Sequence, residues 1–266
     1  MASSKPVRAR RGELIFVGCG IQLGRHLSRR VASEIKIADR VFGLVDAFAW
    51  DWLKAERPDA IALTDYYGEG KDRRQTYREM EDAVCREVER GYRVCVVLYG
   101  HPGVFADMPH TAIRRMSRLG FHTAMEPGIS AEACLYADLG LDPGKFGVQS
   151  LEATQFLVFE RTLDPAGLLI LWQLALVGDL SCTRFDTSPE RLGLLVDKLL
   201  RWYLPTTPVI LYEAAQVAVQ PVRAESITLQ QLPAAELVEH TTLVIPPAVQ
   251  LRRDEAVLRK LEWIAQ

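Results

Sequence analysis

The sequence predicts an α/β architecture in two parts, and three observations predict it. Near-continuous apolar stretches alternate with amphipathic ones through the first half, glycine turns sit at strand-to-helix junctions, and the second half holds several apolar strands around one clear helix. In chain order, "ELIFVG" reads as a strand entering a glycine turn, followed by a helix around Leu27 to Ile37. "RVFGLV" reads as a second strand and Ala47 to Glu56 as a second helix. A longer helix is marked by Asp72 as N-cap with Gln75 three residues on, by an apolar stripe of Tyr77, Met80, Val84 and Val88, and by Gly91 at its end. The strand "RVCVVLY" follows at once. Apolar strands separated by amphipathic helices are the pattern of a parallel sheet covered on both faces.

The second half has a different texture. Pro127, Gly128, Pro143, Gly144 and Gly147 interrupt the chain, and the strand candidates are "LLILWQL", "PVILYEA", "AESITLQQL" and "TTLVIP", with a helix from Pro189 to Tyr203 after the first. This predicts an α/β domain over residues 1–125, a more mixed domain over 126–246, and a C-terminal helix within 247–266. The helix "DEAVLRKLEWIA" follows Pro246 and Pro247 and would bury Val257, Leu258, Leu261 and Ile264 against a partner subunit or the protein's own flank.

Composition narrows the function classes. The chain has 266 residues, 48% hydrophobic and 25% charged, with a net charge of -2, as expected of a soluble globular protein with a large core. Beyond Lys5, Arg8, Arg10 and Arg11 there is no basic cluster, which gives no electrostatic case for nucleic acid. The first apolar stretch is of strand length and precedes no small-residue cleavage site, and the run from Leu168 to Val177 is too short to span a bilayer. A cytoplasmic enzyme or binding protein is the expectation. Five cysteines, Cys19, Cys85, Cys95, Cys134 and Cys182, lack any C-x-x-C spacing and read as reduced residues, with neither a disulfide framework nor a metal site.

Three stretches stand out. "GCGIQLG" follows a strand and opens a helix, the setting of a dinucleotide fingerprint, but Leu23 stands where the third glycine belongs; a plain tight turn is an equal reading. "YGHPGVF" ends a buried strand where open parallel sheets bind ligands, or is a rigid turn with a solvated histidine. In "TDYYGEGKDRRQTYREM", Arg73 and Tyr77 are four apart on one helix face, which puts a guanidinium by a phenol and would favour the phenolate. Tyr77 also fits the apolar stripe as a core tyrosine, which spacing alone favours.

In combination the motifs are recognisable. "GELIFVGCG", "LYGHPGVF", "PGISAEACLYADLG" and "TTLVIPP", in that order and over nearly the whole chain, resemble the tetrapyrrole methylase superfamily of S-adenosylmethionine (SAM) dependent methyltransferases. Within it, "YGHPGVF", "LDPGKFG", "EAT" and "LLILWQLALVG" resemble the borosin peptide backbone N-methyltransferases. The resemblance implies a two-domain, class III methyltransferase fold with its active site in the interdomain cleft. It implies SAM contacts from Tyr99, Gly100, His101, Val104, Phe105, Ser130, Ala131, Gln173, Tyr212 and Thr242, and catalytic roles for Tyr67, Arg73 and Tyr77. It implies a homodimer and, with SAM supplying the electrophile, no metal. The fungal enzymes carry their substrate peptide at the C-terminus, whereas this sequence ends at Gln266, which implies the split type acting on a separate precursor peptide. A methyltransferase of tetrapyrrole or corrin precursors and a non-catalytic SAM-binding partner are the alternatives; the Tyr/Arg/Tyr spacing argues against the first.

Overall fold

The computed structural model describes residues 12–264, so the basic residues Lys5, Arg8, Arg10 and Arg11 lie outside the described residues. The chain divides into two compact units. The first runs to Leu139 and regains the chain at Ser181–Arg184 and Ala214–Val222; the second holds Gly140–Leu180, Phe185–Glu213 and the residues from Arg223 on.

The first unit alternates β1 (Glu13–Gly18), α1 (Arg29–Ile37), β2 (Arg40–Leu44), α2 (Ala47–Glu56), β3 (Ile61–Ala62), α3 (Arg73–Glu89), β4 (Arg93–Leu98), α4 (Asp107–Arg118), β5 (His122–Glu126) and α5 (Ala131–Leu139). Its parallel sheet has the order β3-β2-β4-β1-β5. The chain steps outward from β1 to β2 and β3, then turns back through β4 and over β1 to β5. Right-handed crossovers therefore place α1 and α2 on one face and α3 and α4 on the other. The side chains agree. Val31, Ile35 and Leu53 cover Ile15, Val17, Cys95 and Val97, while Met80, Val84, Met108 and Ala112 cover Leu14, Phe16, Val94 and Val96. Successive strand residues point to opposite faces, so a run that is apolar at every position is what a doubly covered sheet requires.

The caps are local and largely as the sequence predicts. Ser28, Asp46 and Asp72 each accept a backbone N–H at the start of α1, α2 and α3. At α3 the Gln75 side chain does not complete the expected capping box; it donates to Glu79 at 2.9 Å. The strand β3 has two residues, too few for an apolar pattern to reveal.

The second unit contains α6 (Pro143–Phe146), β6 (Val148–Glu152), α7 (Ala153–Val158), β7 (Leu168–Trp172), α8 (Pro189–Leu199), β8 (Pro208–Glu213), β9 (Arg223–Thr228), β10 (Thr242–Ile245) and α9 (Glu255–Ile264). Its sheet, β6-β7-β10-β8-β9, is mixed: β6 and β7 are parallel and the remaining pairs antiparallel. Leu169, Leu171, Leu211, Leu243 and Ile245 meet Phe156 of α7 and Leu195 and Leu199 of α8 in one core. On α9, Val257, Leu261 and Ile264 are exposed among the described residues, and Leu258 is half-buried. Among the described residues no helix is long and apolar enough to cross a membrane.

Charge is buried at the foot of the first sheet, where Glu34 is 1% exposed and accepts from Arg93 at 2.5 Å, with Arg30 at 2.6 Å. Arg93 also pairs with Glu13, and its backbone N–H donates to Asp39 at 2.8 Å. Removing one member of a buried pair leaves the other charge uncompensated. Arg93→Leu is therefore expected to lower stability by about 3 kcal/mol in urea unfolding. A loss below about 0.5 kcal/mol would show that this network behaves like an exposed pair.

Candidate active site

The direction of the chain reverses between β1 and β4, whose connections leave toward opposite faces. In an open parallel sheet this is where a crevice forms beyond the carboxyl ends of the strands. Both glycine turns lie there, and they touch: Gly20 and Gly100 form a bridge, with Gly20 N–H to Gly100 O at 3.2 Å and Gly100 N–H to Gly20 O at 3.0 Å. The turn after β5 joins them. A Cβ on Gly18 would stand 2.4 Å from Gly100 O and 2.7 Å from Gly128 N, and one on Gly128 would stand 2.1 Å from Gly100 O.

The glycines of "GCG" thus have a reason inside the protein. Gly20 combines a φ of +77° with a Cβ position 2.2 Å from the His26 Cβ. His26 in turn closes the loop, its Nδ1 accepting from Ile21 N–H at 3.2 Å and Gln22 N–H at 3.1 Å. Burial, then Arg25, lowers its pKa, which keeps the ring neutral and able to accept. The plain-turn reading of this stretch accounts for its glycines without a dinucleotide. Cys19 is buried among these turns, and desolvation first, then Asp46, pushes its thiol up to about 12, so it is no nucleophile.

The turn after β4 is built differently. His101 is half-buried and folds back, its Nδ1 accepting from Gly103 N–H at 2.9 Å. Tyr99 is anchored by its N–H to Leu44 O at 3.2 Å, and burial, then Asp46, raises its phenol to about 12. Val104, Phe105 and Ile129 are exposed apolar side chains on these turns, and Phe105 holds a φ of +51°. Left-handed backbone at a bulky residue costs free energy and occurs where the surroundings over-determine it, most often at ligand sites. Ser130 opens α5, its Oγ accepting from Ala133 N–H at 3.2 Å, with Ala131 as the first helical residue.

Tyr67 and Arg73 reach the same carboxyl edge by way of α3, whose N-terminus must lie there. Tyr67 follows a short turn at Thr64–Tyr66 and meets Tyr77 edge to face, ring centroids 6.3 Å apart and planes at 88°. Both rings pack against the cluster that includes Leu98 and Met108, so Tyr77 lies on the apolar stripe as well. Arg73 opens α3. Its backbone N–H donates to Cys182 O at 2.8 Å and its guanidinium donates to the carbonyl of Arg184. A cation in the first turn runs against the helix dipole, and these carbonyls offset that cost.

A family model described as tetrapyrrole (corrin/porphyrin) methylases matches residues 13–230. The chain belongs to the tetrapyrrole methylase family. The chain is 35% identical over 261 residues to the methyltransferase/ribosomally synthesized cyclic peptide gymnopeptides precursor of Gymnopus fusipes, covering 96% of the chain and 62% of that protein. It is also 35% identical over 257 residues to the methyltransferase/ribosomally synthesized type I borosin cyclic peptide precursor of Serendipita vermifera subsp. bescii, covering 93% and 61%. The chain thus spans about three-fifths of the length of these curated relatives. Uroporphyrin-III-C-methyltransferase from Thermus thermophilus shares the fold, with a TM-score of 0.63 over 92% of this chain and 99% of that one at 18% identity.

In the second unit, Tyr212 and Thr242 are paired across β8 and β10, and Gln173 stands just past the end of β7, one position out of that row. Tyr212 and Thr242 are 1% and 2% exposed, so most of their surface already meets protein, whereas Gln173 is half-buried with a φ of +56°. Sequence reasoning missed His26, Gly18 and Gly128 as parts of one contact, and the segment 181–184 as the anchor of Arg73. A positive-φ Cys182 leaves no local signature.

The close approach gives a direct test. Gly128→Ala should cost about 1–3 kcal/mol, since backbone rather than a flexible side chain must give way. Gly24→Ala, at a φ of +85° with nothing within 4 Å, should cost only the left-handed strain of about 1 kcal/mol. Equal melting shifts for the two would show that the three turns do not constrain each other.

Proposed function

We propose that this protein is a SAM-dependent methyltransferase that N-methylates backbone amides of a borosin-type precursor peptide, working as a homodimer in the cytoplasm on a peptide supplied as a separate chain. The observation that carries the reading is the edge-to-face pair of Tyr67 and Tyr77, with Arg73 one turn before Tyr77 on α3, at the sheet edge that also carries the exposed apolar turn at Val104 and Phe105. Its relatives, named as methyltransferase and cyclic-peptide precursor, support the substrate class.

The residues fit SAM by their chemistry. Exposed Val104, Phe105 and Ile129 offer an apolar wall for such a molecule, beside the turns that carry Tyr99 to His101 and Ser130 and Ala131. Gln173, Tyr212 and Thr242 are the candidate contacts of the second unit. SAM supplies an electrophilic methyl group when bound.

The protein's own task is to make an amide nitrogen reactive. That lone pair is delocalised into the carbonyl, so the nitrogen must lose its proton as the methyl arrives. In this reading Tyr77 acts as a tyrosinate that takes the amide proton and becomes the phenol, while the Tyr67 hydroxyl and the Arg73 guanidinium donate to the carbonyl oxygen of the same amide, where charge collects. Arg73 is suited to this because the Arg184 carbonyl holds one arm of its planar fork while the Cys182 carbonyl holds its backbone N–H.

Two experiments test the reading. SAM should bind with micromolar or tighter affinity and raise the melting temperature. Phe105→Asn, which keeps a residue tolerant of left-handed backbone but removes the ring, should weaken binding about tenfold or more while the fold persists. An unchanged affinity removes this turn from the site. For the chemistry, the purified protein is incubated with SAM and a panel of synthetic peptides spanning the precursor segments of its relatives. Successive one-methyl mass increments on peptide backbone nitrogens are expected, and Tyr77→Phe should abolish them while melting near wild type. Methylation only of side chains, or of a tetrapyrrole and never a peptide, would overturn the function, and light scattering that reports a monomer would overturn the dimer.

A further inference from the structure

The backbone that carries Tyr67 is short of regular structure. It leaves the turn at Thr64–Tyr66 and passes Gly68, Glu69 and Gly70 before α3 begins, with Gly70 at a φ of +67° in open space. The peptide unit joining Tyr66 to Tyr67 is nevertheless held at both ends. Its N–H donates to Thr64 O at 3.0 Å, and its carbonyl accepts from Lys71 Nζ at 2.7 Å. A peptide unit is planar, so pinning both its N–H and its C=O fixes the plane from which the Tyr67 Cα and ring project.

Lys71 is itself tied down. Its ammonium also donates to Glu79 Oε2 at 2.5 Å, and the other oxygen, Glu79 Oε1, accepts from Gln75 at 2.9 Å. Glu79 stands two residues beyond Tyr77 on α3. The chain Tyr66–Lys71–Glu79–Gln75 therefore couples the loop of one tyrosine to the helix of the other. Lys71 and Glu79 are 25% and 40% exposed, and pairs this open to water contribute little to stability. Their geometric role is the larger one.

We propose that Lys71 is a positioning residue for Tyr67, acting with Glu79 as a clamp that sets the loop tyrosine against the helix bearing Arg73 and Tyr77. The proposal rests on the catalytic reading of Tyr67 given above. Lys71 touches no reacting atom; it acts through the Tyr66–Tyr67 peptide.

The test compares the full-length wild type with Lys71→Met, Lys71→Arg and the exchange Lys71→Glu/Glu79→Lys, each with 3-fluorotyrosine at position 67. Lys71→Met should lower kcat about 10- to 100-fold, on the peptide of the panel that the wild type methylates fastest. The KM for SAM and the melting temperature should stay near wild type, and the fluorine resonance of residue 67 should shift or broaden. Lys71→Arg, whose fork still donates to both a carbonyl and a carboxylate, should recover most of the rate and the resonance. The exchanged pair regains its charge attraction but has no donor on the loop side, so it should remain impaired. A wild-type resonance in Lys71→Met, or full activity in the exchanged pair, would overturn the clamp. A wild type that methylates no peptide overturns the catalytic reading instead, and the fluorine comparison, which needs no turnover, still decides whether Lys71 sets Tyr67.

Discussion

The carbonyl oxygen of Gly100 lies where a Cβ on either Gly18 or Gly128 would stand, and the bridge from Gly20 to Gly100 closes the same point. Three loops can meet at one end of the sheet on these terms only if their contact residues have no side chains. Because they do meet, the carboxyl ends of β1, β4 and β5 form one rigid rim. The residues after Gly100 continue from that fixed start, with His101 folded back and Phe105 left-handed. Glycine here is spent on packing protein against protein. The candidate ligand surface is the apolar wall beside it.

The candidate catalytic residues depend on a second set of constraints. An arginine opening a helix, and a tyrosine on a glycine-flanked loop, are both weakly placed by local structure. Each is fixed from outside its own element, Arg73 by the carbonyls of Cys182 and Arg184, Tyr67 by the peptide that Lys71 holds. Tyr77 is the exception, since its place on the buried stripe of α3 positions it by packing alone. The core reading and the catalytic reading of Tyr77 are therefore compatible: the ring packs, and the hydroxyl is what remains for chemistry.

In the second unit the antiparallel pairing of β10 with both β7 and β8 sets Thr242 opposite Tyr212 and brings the end of β7, which Gln173 follows, to the same end of the sheet, although these residues lie far apart in the chain. Short-range patterning could identify each strand. Only the register could show that Tyr212 and Thr242 are neighbours.

The sequence by itself determined the elements whose causes lie within a few residues. The doubly buried strands, the bounds of α2 and the Asp72 cap of α3 follow from side-chain period and from orphan N–H groups at helix starts. The motif resemblance likewise marked the family and nominated Tyr67, Arg73 and Tyr77 as candidate residues, whereas spacing alone favoured a core role for Tyr77. Tertiary structure alone decided what depends on distant partners: the two-residue β3, which exists by pairing with β2; the contact of Gly18 with Gly100 and Gly128; the anchoring of Arg73 by the segment at 181–184; and the exposure of Val257, Leu261 and Ile264 on α9. The physical reason is range. Periodicity and capping are read between residues up to about four apart, whereas strand order and loop closure bring together groups that the chain separates by tens of residues and that carry no mark of each other in the sequence.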